Sequence, residues 1–363
     1  MGEKREKISS IQLFALMEGF LIGSTIIINP ASSAKEDSWL AFIIGWLGGL
    51  ALISIYVMIA KKYPNKTLVE ILKVHFGKYV GTFVAILYVC YFIHTASLVF
   101  RNFGEYNVAL VYQDTPMVVI IALLAILIVY SVRGGIEVLA RISELLQPLL
   151  ILGILSLSLV LIASHNWTAM FPILKDGLLP VAKVGFSVMA FPFGELVAFM
   201  MIFPHLNKIK SISKVSYLGV AIGGAIILNT VLRDLIVLGP DIISEITYPT
   251  HLTSKLIPMV SIEPIVSLNF FICGGIKISV LIFAATYGIS QIFKIDNYKP
   301  LVLAVTSFAV VLSIWIYSNV LEMFTWASKI YSYYALPFQV IIPIILLVFS
   351  FSPKKEQKSK QNS

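Results

Sequence analysis

Glu195 is an ionisable residue in the middle of a long apolar stretch that runs from residue 185 to residue 204. A charged side chain at mid-membrane costs roughly 2.5 to 3.5 kcal/mol on insertion scales, so such a residue indicates a function and requires a partner. Because Pro192 has no N–H and Gly194 favours non-helical backbone, peptide groups beside Glu195 should lack helical partners, which a bilayer tolerates only around a polar cavity. We therefore expect a broken membrane helix; a proline-kinked structural helix is the alternative. The site residues expected there are Phe191, Phe193, Gly194 and Glu195.

A second interruption lies in the apolar run GFLIGSTIIINP, from residue 19 to residue 30. As in the first stretch, a break that contains glycine follows a Gly-Phe pair by several residues. Gly23, Ser24 and Thr25 offer small side chains, hydroxyls and backbone donors, and the partial positive charge of a half-helix N-terminus suits a carboxylate. These residues predict a site for the carboxylate of a small ligand. Ordinary helix packing through small residues is the alternative.

Lys277 lies well inside a later apolar run, CGGIKISVLIFAATYGIS, with no carboxylate within one helical turn. An ammonium group there needs backbone carbonyls or a carboxylate from another helix, which Glu18 or Glu195 could supply. This cation could replace a coupling sodium ion or carry a proton, and a fixed structural charge is equally compatible with the sequence. Thr95 and Tyr287 are expected to complete the wall of the pocket.

Two further pairs of charges lie within apolar runs. Arg101 and Glu105 are four residues apart, which places them on one helix face, and Arg233 is adjacent to Asp234. We interpret both pairs as structural. His94 is interpreted as a satisfied core histidine.

The apolar runs that carry these residues fill nearly the whole chain. Hydrophobic residues make up 58% and charged residues 13% of the 363 residues, and the mean hydropathy is +0.90. These values exclude a soluble domain and indicate an all-α integral membrane protein. Crossing about 30 Å of hydrocarbon takes about 20 residues, and about ten runs are long enough. The spans are expected at residues 10–30, 39–60, 80–105, 116–132, 144–164, 182–203, 215–238, 264–291, 300–319 and 334–351.

The sequence contains no nucleophile elbow, no phosphate-binding loop and no metal-binding histidine motif, so we predict that the protein is not an enzyme. The two cysteines lie within apolar runs and indicate neither a disulfide framework nor a metal site. No cofactor is expected.

Lysine and arginine residues are distributed unequally between the loops. If the N-terminus is cytoplasmic, the outside loops contain only Lys35, Lys175, Lys255 and Lys329. This asymmetry predicts cytoplasmic termini and an even number of spans, and it explains the net charge of +8 without a nucleic-acid partner. Residues 1–9 then form a cytoplasmic N-terminus, residues 10–351 the membrane domain, and residues 352–363 a disordered cytoplasmic tail.

Ten spans divide into five plus five, so the interrupted first span corresponds to the interrupted sixth span. An odd number of spans in each half gives the halves opposite topology, which is the inverted repeat of LeuT-like secondary transporters. In that fold, the broken first and sixth helices form the substrate site near mid-membrane. The two repeats are expected at residues 10–164 and 182–351.

Three segments between the spans have patterns of their own. Thr67 and Glu70 form a capping box that predicts a short amphipathic helix at the cytoplasmic surface. The outer loop at residues 239–264 is expected to contain short helices and to face a partner or an entrance. Residues 321–334 are rich in Trp and Tyr, which is typical of the headgroup region.

The chain resembles the B subunits of the spore germinant receptors, also called endospore germination permeases, within the amino acid/polyamine/organocation superfamily. The resemblance covers essentially the full chain and rests on KISSIQLFALMEGFLIGSTIIINPA, PNKTLVEILKVHFGKYVG, RNFGEYN, FPFGE and YPT. It implies a ten-span transporter-like fold in the inner membrane of a dormant spore, assembled with a larger A-type membrane subunit and a C-type lipoprotein subunit. It also implies a pocket for a small nutrient germinant, usually an amino acid, at residues 23–25 and 191–195 and on the inward faces of the third and eighth spans.

The leading hypothesis is a germinant-sensing receptor subunit in which a nutrient binds between the broken helices and shifts a conformational equilibrium. A proton-coupled amino acid transporter that acts alone is the first alternative. A membrane scaffold that binds nothing is the second.

Overall fold

The computed structural model describes residues 6–164, 166–257 and 261–351, and these residues fold almost entirely into helices. Within these ranges, eight helices are long and apolar enough to cross a membrane. They are Ser32–Lys62, Leu68–Leu110, Met117–Gly134, Ile136–Val160, Leu178–Met201, Ile209–Leu238, Glu263–Phe293 and Tyr331–Phe351. A ninth span results if Leu301–Trp315 is joined to Val320–Lys329, from which it is bent by 101°, and Ser10–Ile26 is a shorter apolar helix. Each predicted span thus corresponds to a helical segment, and the all-α membrane fold is confirmed.

The α-helices in chain order are α1 (Ser10–Ile22), α2 (Ser38–Lys62), α3 (Leu68–Leu110), α4 (Met117–Gly134), α5 (Ile136–Val160), α6 (Leu178–Val188), α7 (Ile212–Leu238), α8 (Pro240–Glu245), α9 (Pro249–Lys255), α10 (Glu263–Phe293), α11 (Leu301–Trp315), α12 (Val320–Lys329), α13 (Tyr331–Leu336) and α14 (Ile342–Phe351). The predicted tail at 352–363 and residues 1–5 of the predicted N-terminus lie outside the described residues.

The first membrane helix is broken where the sequence predicts it. Ser9 and Gln12 form a capping box at the start of α1, and the helix ends at Gly23, whose backbone has φ 13° and ψ −110°. The chain continues as a 3₁₀ turn over Gly23–Ile26. A single glycine therefore separates the two helical pieces.

The sixth membrane helix is also broken, but only Phe191 has a non-helical backbone and no longer segment is unwound. After α6, the chain forms a π turn at Met189–Phe193 and a 3₁₀ segment at Gly194–Met201. Phe191 is the residue with extended backbone, at φ −130° and ψ 116°. Pro192 follows it and cannot donate a backbone hydrogen bond, which accounts for the change of helix type at this point.

A second π turn, at Pro337–Ile341, lies in the last membrane helix between α13 and α14. The Gln339 side chain donates to the carbonyl of Ala190 at 3.0 Å, so it connects this turn with the π turn of the sixth helix. Tyr56 of α2 donates to the carbonyl of Gln339 at 2.6 Å. These hydrogen bonds satisfy carbonyls that an interrupted helix leaves without partners.

The charge pairs predicted within the membrane are confirmed. Arg101 lies 2.7 Å from Glu105 and also donates to the carbonyls of Ser313 and Ile314 at the end of α11. Arg233 lies 2.8 Å from Asp234, whose carboxylate accepts hydrogen bonds from two threonines of the outer loop. Both pairs therefore hold elements together, as their structural interpretation requires.

The segments between the spans contain the predicted short helices, and their positions relative to the membrane stay predictions. Thr67 and Glu70 form the capping box at the start of α3, and Gly77, at φ 77°, separates a short first helix from the membrane helix. The outer loop contains α8 and α9, as predicted. Residues 321–334 contain α12 and the first part of α13, and their predicted place in the headgroup region stays a prediction.

The segment before α1 is attached to the end of the broken sixth helix. Ile8 pairs with Leu206 in a parallel bridge, and its N–H donates to the carbonyl of His205 at 2.8 Å. The Lys7 ammonium donates to the carbonyl of Pro204 at 3.1 Å. Glu6 lies 3.5 Å from Lys299, which precedes α11. The segment before α1 is therefore held against the end of the sixth helix and the start of α11.

Candidate functional site

A cavity of about 470 Å³ lies between the two broken helices and the segments that cover them on the side of α8 and α12. Its volume falls in the range of small-molecule sites, roughly 300 to 1,000 Å³. Polar and aromatic side chains from both repeats line it. They include Ser24, Asn29, Thr95, Asn102, Phe191, Glu195, Tyr317, Trp326 and Tyr331.

Four of the predicted site residues line this cavity: Ser24, Thr95, Phe191 and Glu195. Ser24 follows the break in α1, and Phe191 is the extended residue of the sixth helix. The Thr95 hydroxyl donates to the carbonyl of Tyr91 at 2.9 Å. The two breaks and the middle of α3 therefore meet at one cavity.

Three buried polar groups of the cavity have no hydrogen-bond partner within the described chain: the Ser24 hydroxyl, the Asn29 amide nitrogen and the Tyr317 hydroxyl. The exposed fraction of each residue is at most 6%. Buried polar groups are nearly always hydrogen-bonded, so unpaired ones in a cavity indicate a ligand or ordered water. All three groups can donate, which suits an acceptor such as a carboxylate.

Three other predicted site residues of the two breaks, Thr25, Phe193 and Gly194, do not line the cavity. The Thr25 hydroxyl donates to the carbonyl of Ile22 at 2.8 Å and satisfies the end of α1. Phe193 packs against Phe42 of α2, with ring centroids 5.8 Å apart, and Gly194 lies against Gln339. Successive residues of a helix point about 100° apart, so neighbours in sequence cannot all face one cavity.

Lys277 and Glu195 form a buried ion pair, with Nζ and Oε2 2.5 Å apart and exposed fractions of 0% and 3%. Of the two partners considered from the sequence, the structure therefore selects Glu195. The ammonium also lies 4.6 Å from the ring centroid of Phe191 and 5.3 Å from that of Phe20. Aromatic faces attract a cation electrostatically, so these rings stabilise the buried ammonium.

Gly23 makes room for this lysine. A Cβ atom at Gly23 would lie 2.6 Å from Cδ of Lys277, a distance that real Cβ atoms do not tolerate. Gly23 is therefore a site residue through its contact with Lys277, not as a group that lines the cavity.

The second oxygen of Glu195 accepts a hydrogen bond from the Tyr331 hydroxyl. The hydroxyl oxygens of Tyr331 and Tyr91 are 3.4 Å apart. The Tyr91 hydroxyl also accepts a hydrogen bond from the Gln339 amide at 2.8 Å. A continuous polar network thus runs from α10 through the sixth helix and α13 to α3 and the second π turn. Both oxygens of Glu195 are occupied by protein groups.

The sequence interpretation missed Tyr331 and Trp326, because it placed residues 321–334 at the membrane surface. The 101° bend between α11 and α12 brings this segment over the cavity, where both aromatic residues line it. Gln339 was also missed, although a lone amide within an apolar run is a signal that could have been used.

Three further residues lie apart from the cavity. Tyr287 is ten residues beyond Lys277, or about 15 Å along α10, and packs against Phe283 with ring centroids 5.5 Å apart. Glu18 is buried in α1 and neither carboxyl oxygen has a hydrogen-bond partner in the described part of the chain. His94 packs edge-on against Trp326, and its Nδ1 has no partner among the described residues, so it is not a satisfied core histidine.

Several solved structures have a similar fold. MhsT in complex with L-phenylalanine gives a TM-score of 0.72 at 17% identity, covering 95% of this chain and 90% of that one. Mhp1, a nucleobase-cation-symport-1 family transporter, gives 0.71 at 12% identity, covering 94% and 78%. A Na⁺-coupled sialic acid symporter gives 0.69 at 12% identity, covering 95% and 89%. These similarities establish a LeuT-like transporter fold.

Sequence similarity identifies the family. Spore germination protein KB of Bacillus subtilis (strain 168) is 34% identical, over 98% of both chains. Spore germination protein YndE of the same organism is 24% identical, over 99% of this chain and 100% of that one. The family model described as spore germination protein matches residues 7–323. This multi-pass membrane protein with a transporter fold therefore belongs to the spore germination protein family, the spore permeases.

Proposed function

We propose that this protein is the nutrient-sensing membrane subunit of a spore germinant receptor, and that a small nutrient, most simply an amino acid, binds in the cavity between the broken helices. The receptor lies in the inner membrane of the spore, with both termini cytoplasmic. An A-type membrane subunit and a C-type lipoprotein subunit read the conformational change. Membership of the germination family and the transporter fold support this proposal.

The observation that carries the binding proposal is the set of three unpaired donors in the cavity, from Ser24, Asn29 and Tyr317. The carboxylate of an amino acid accepts hydrogen bonds from these groups. Its ammonium lies against the aromatic walls formed by Phe191 and Trp326, whose faces attract cations. Glu195 is already neutralised by Lys277, so the site favours a ligand with no net charge.

A ligand shifts a conformational equilibrium only by the difference between its affinities for the two states. The donors of the cavity belong to different elements: Ser24 follows α1, whereas Tyr317 lies between α11 and α12. A ligand that bridges them favours the arrangement in which these elements are close. The partner subunits then respond to the population of that arrangement.

The test is binding of a panel of amino acids and other small nutrients, measured as a ligand-dependent rise in Tm of the purified protein and of the assembled receptor. Ser24→Ala and Tyr317→Phe each remove one hydroxyl from the cavity. Each should weaken binding about 10- to 150-fold, the equivalent of roughly 1.5 to 3 kcal/mol for a hydrogen bond to a charged group. Ser156→Ala, which removes a hydroxyl on the exposed face of α5, is the matched control.

Unchanged affinity in both cavity variants would show that the ligand binds elsewhere. Germination that is normal in spores carrying Ser24→Leu would contradict the sensing role. Loss of germination with the protein still inserted would count against the scaffold alternative.

The transporter alternative is favoured by one feature, the buried ion pair of Lys277 and Glu195 within a transporter fold. Uptake of a labelled amino acid by vesicles containing this protein alone distinguishes the two functions. Concentrative uptake driven by a proton gradient supports transport, whereas binding without uptake supports sensing.

A further inference from the structure

Glu18 is a buried carboxyl group that the proposed binding site does not use. Its exposed fraction is 1%, and neither of its oxygens has a hydrogen-bond donor within residues 6–164, 166–257 and 261–351. It lies eight residues into α1, or about 12 Å from Ser10, and therefore near the middle of the molecule. Its own helix continues to Gly23 and Ser24 at the cavity.

The surroundings of Glu18 are apolar. A Cβ atom at Gly223 of α7 would lie 4.0 Å from Cγ of Glu18, and Ile276 of α10 packs against the adjacent Gly19. Cys273 of α10 is buried and lies three residues before Ile276, on the same face of the helix. The side chains of α7 and α10 near Glu18 are therefore aliphatic groups and a thiol.

The elements packed against α1 carry few titratable groups near this point. They are Cys273 and Lys277 on α10, Tyr217 on α7, Glu137, Arg141 and Glu144 on α5, and Glu195 on the sixth helix. Lys277 is paired with Glu195, and Arg141 is paired with Glu137 near the start of α5. Tyr217 is exposed and donates to Ser54. Both cations of this set therefore have other partners.

An ionised carboxylate without a donor or a cation is among the least favourable groups in an apolar interior, and the usual outcome is that the group binds a proton. A metal ion does not fit the site as well, because Na⁺ or a divalent cation needs several oxygen ligands. No cluster of three or more metal-ligating side chains occurs among the residues that the structure describes.

We propose that Glu18 is a proton-binding site, occupied by a proton in this conformation and separate from the nutrient cavity. The proton neutralises the carboxyl group while α1 is packed against α7 and α10. A displacement of α1 that brings Glu18 to water releases the proton. Because α1 also carries Ser24, proton binding at Glu18 and ligand binding in the cavity act on the same helix.

Infrared spectroscopy of the purified protein tests the proposal without a ligand, so its result is independent of the proposed function. A protonated carboxyl group has a C=O stretching band that an ionised carboxylate lacks. The band should be present in the wild-type protein at neutral pH, absent in Glu18→Gln and retained in Glu137→Gln, a control in which the carboxylate is 40% exposed and paired with Arg141.

The wild-type spectrum alone can overturn the proposal, since the absence of a protonated carboxyl band at neutral pH means that Glu18 is ionised. A band of undiminished intensity in Glu18→Gln would assign the proton to another residue and overturn the proposal as well. If Glu18→Gln does not fold, Glu18→Asp replaces it. The Glu18→Asp protein should then keep a protonated carboxyl band at a frequency different from that of the wild-type protein. A band at the wild-type frequency overturns the proposal.

Discussion

Lys277 and Glu195 place opposite charges 2.5 Å apart, with almost no exposure, between the uninterrupted helix α10 and the broken sixth helix. Glu195 faces the cavity on one side and this ammonium on the other. The pair therefore connects the broken sixth helix, which lines the cavity, to α10, which is a regular α-helix along its whole length.

Removing one member of this pair should destabilise the protein strongly. Lys277→Met should lower the free energy of unfolding by roughly 3 to 5 kcal/mol, because it leaves a carboxylate buried without its cation. The double variant Lys277→Met/Glu195→Gln should recover most of this loss. Thermal unfolding in detergent measures both, and equal Tm values for the single and double variants would show that the two charges are not coupled.

Tyr331→Phe should lower stability by roughly 1.5 to 3 kcal/mol, since a carboxylate oxygen of Glu195 loses its donor. Tyr333→Phe is the matched control, because Tyr333 is two residues away in α13 and 69% exposed. The difference between the Tm values of the two variants isolates the hydrogen bond. No difference would mean that Tyr331 contributes only its ring.

Gly23→Ala should disturb Lys277 directly. The added methyl group would lie 2.6 Å from Cδ of the lysine, and overpacking of this kind costs roughly 1 to 3 kcal/mol. Gly275→Ala is the control on α10, because its nearest neighbour is Ile128 at 3.9 Å, an ordinary contact. Ligand response and Tm should fall in the first variant and remain unchanged in the second; a stable Gly23→Ala protein would show that Lys277 can move aside.

His251 should make stability depend on pH. It lies in α9, outside the membrane-spanning helices, with Nδ1 3.0 Å from the Tyr106 hydroxyl. Burial, together with the nearby Lys255, lowers the pKa of His251 below its ordinary value of 6.5, an effect that Glu263 partly opposes. Below that value the unfolded chain binds a proton that the folded protein does not, so stability is lost as the pH falls towards the folded pKa.

The Tm of the wild-type protein should therefore decrease between about pH 7 and pH 5, and His251→Gln should show a smaller decrease. Other histidines contribute to the total, so the comparison is the difference between the two slopes. Identical slopes would exclude His251 as a contributor.

The breaks in the membrane helices could be predicted because their causes are local. Pro192 has no N–H and Gly23 has no Cβ, and each changes the hydrogen bonding of its own neighbours. The pair of Arg101 with Glu105 was equally accessible, since residues four apart lie on one face of a helix. Arg233 and Asp234 are neighbours in sequence, which keeps their side chains within reach of each other.

The partners across helices could not be predicted in the same way. Glu18 and Glu195 were equally suitable for Lys277, and only the packing of α10 against the sixth helix selects between them. Phe193 and Gly194 do not line the cavity, because the π and 3₁₀ segments shift the phase of the side chains relative to a regular α-helix. Tyr331 was missed because an aromatic, amphipathic segment fits a membrane surface and a cavity wall equally well.

The segment before α1 hydrogen-bonds to the end of the sixth helix through Ile8 and Lys7, and its Glu6 lies 3.5 Å from Lys299. The two broken helices are thus joined by a backbone contact as well as by the cavity that both of them line. A motion that separates the two helices at this point would break the bridge between Ile8 and Leu206.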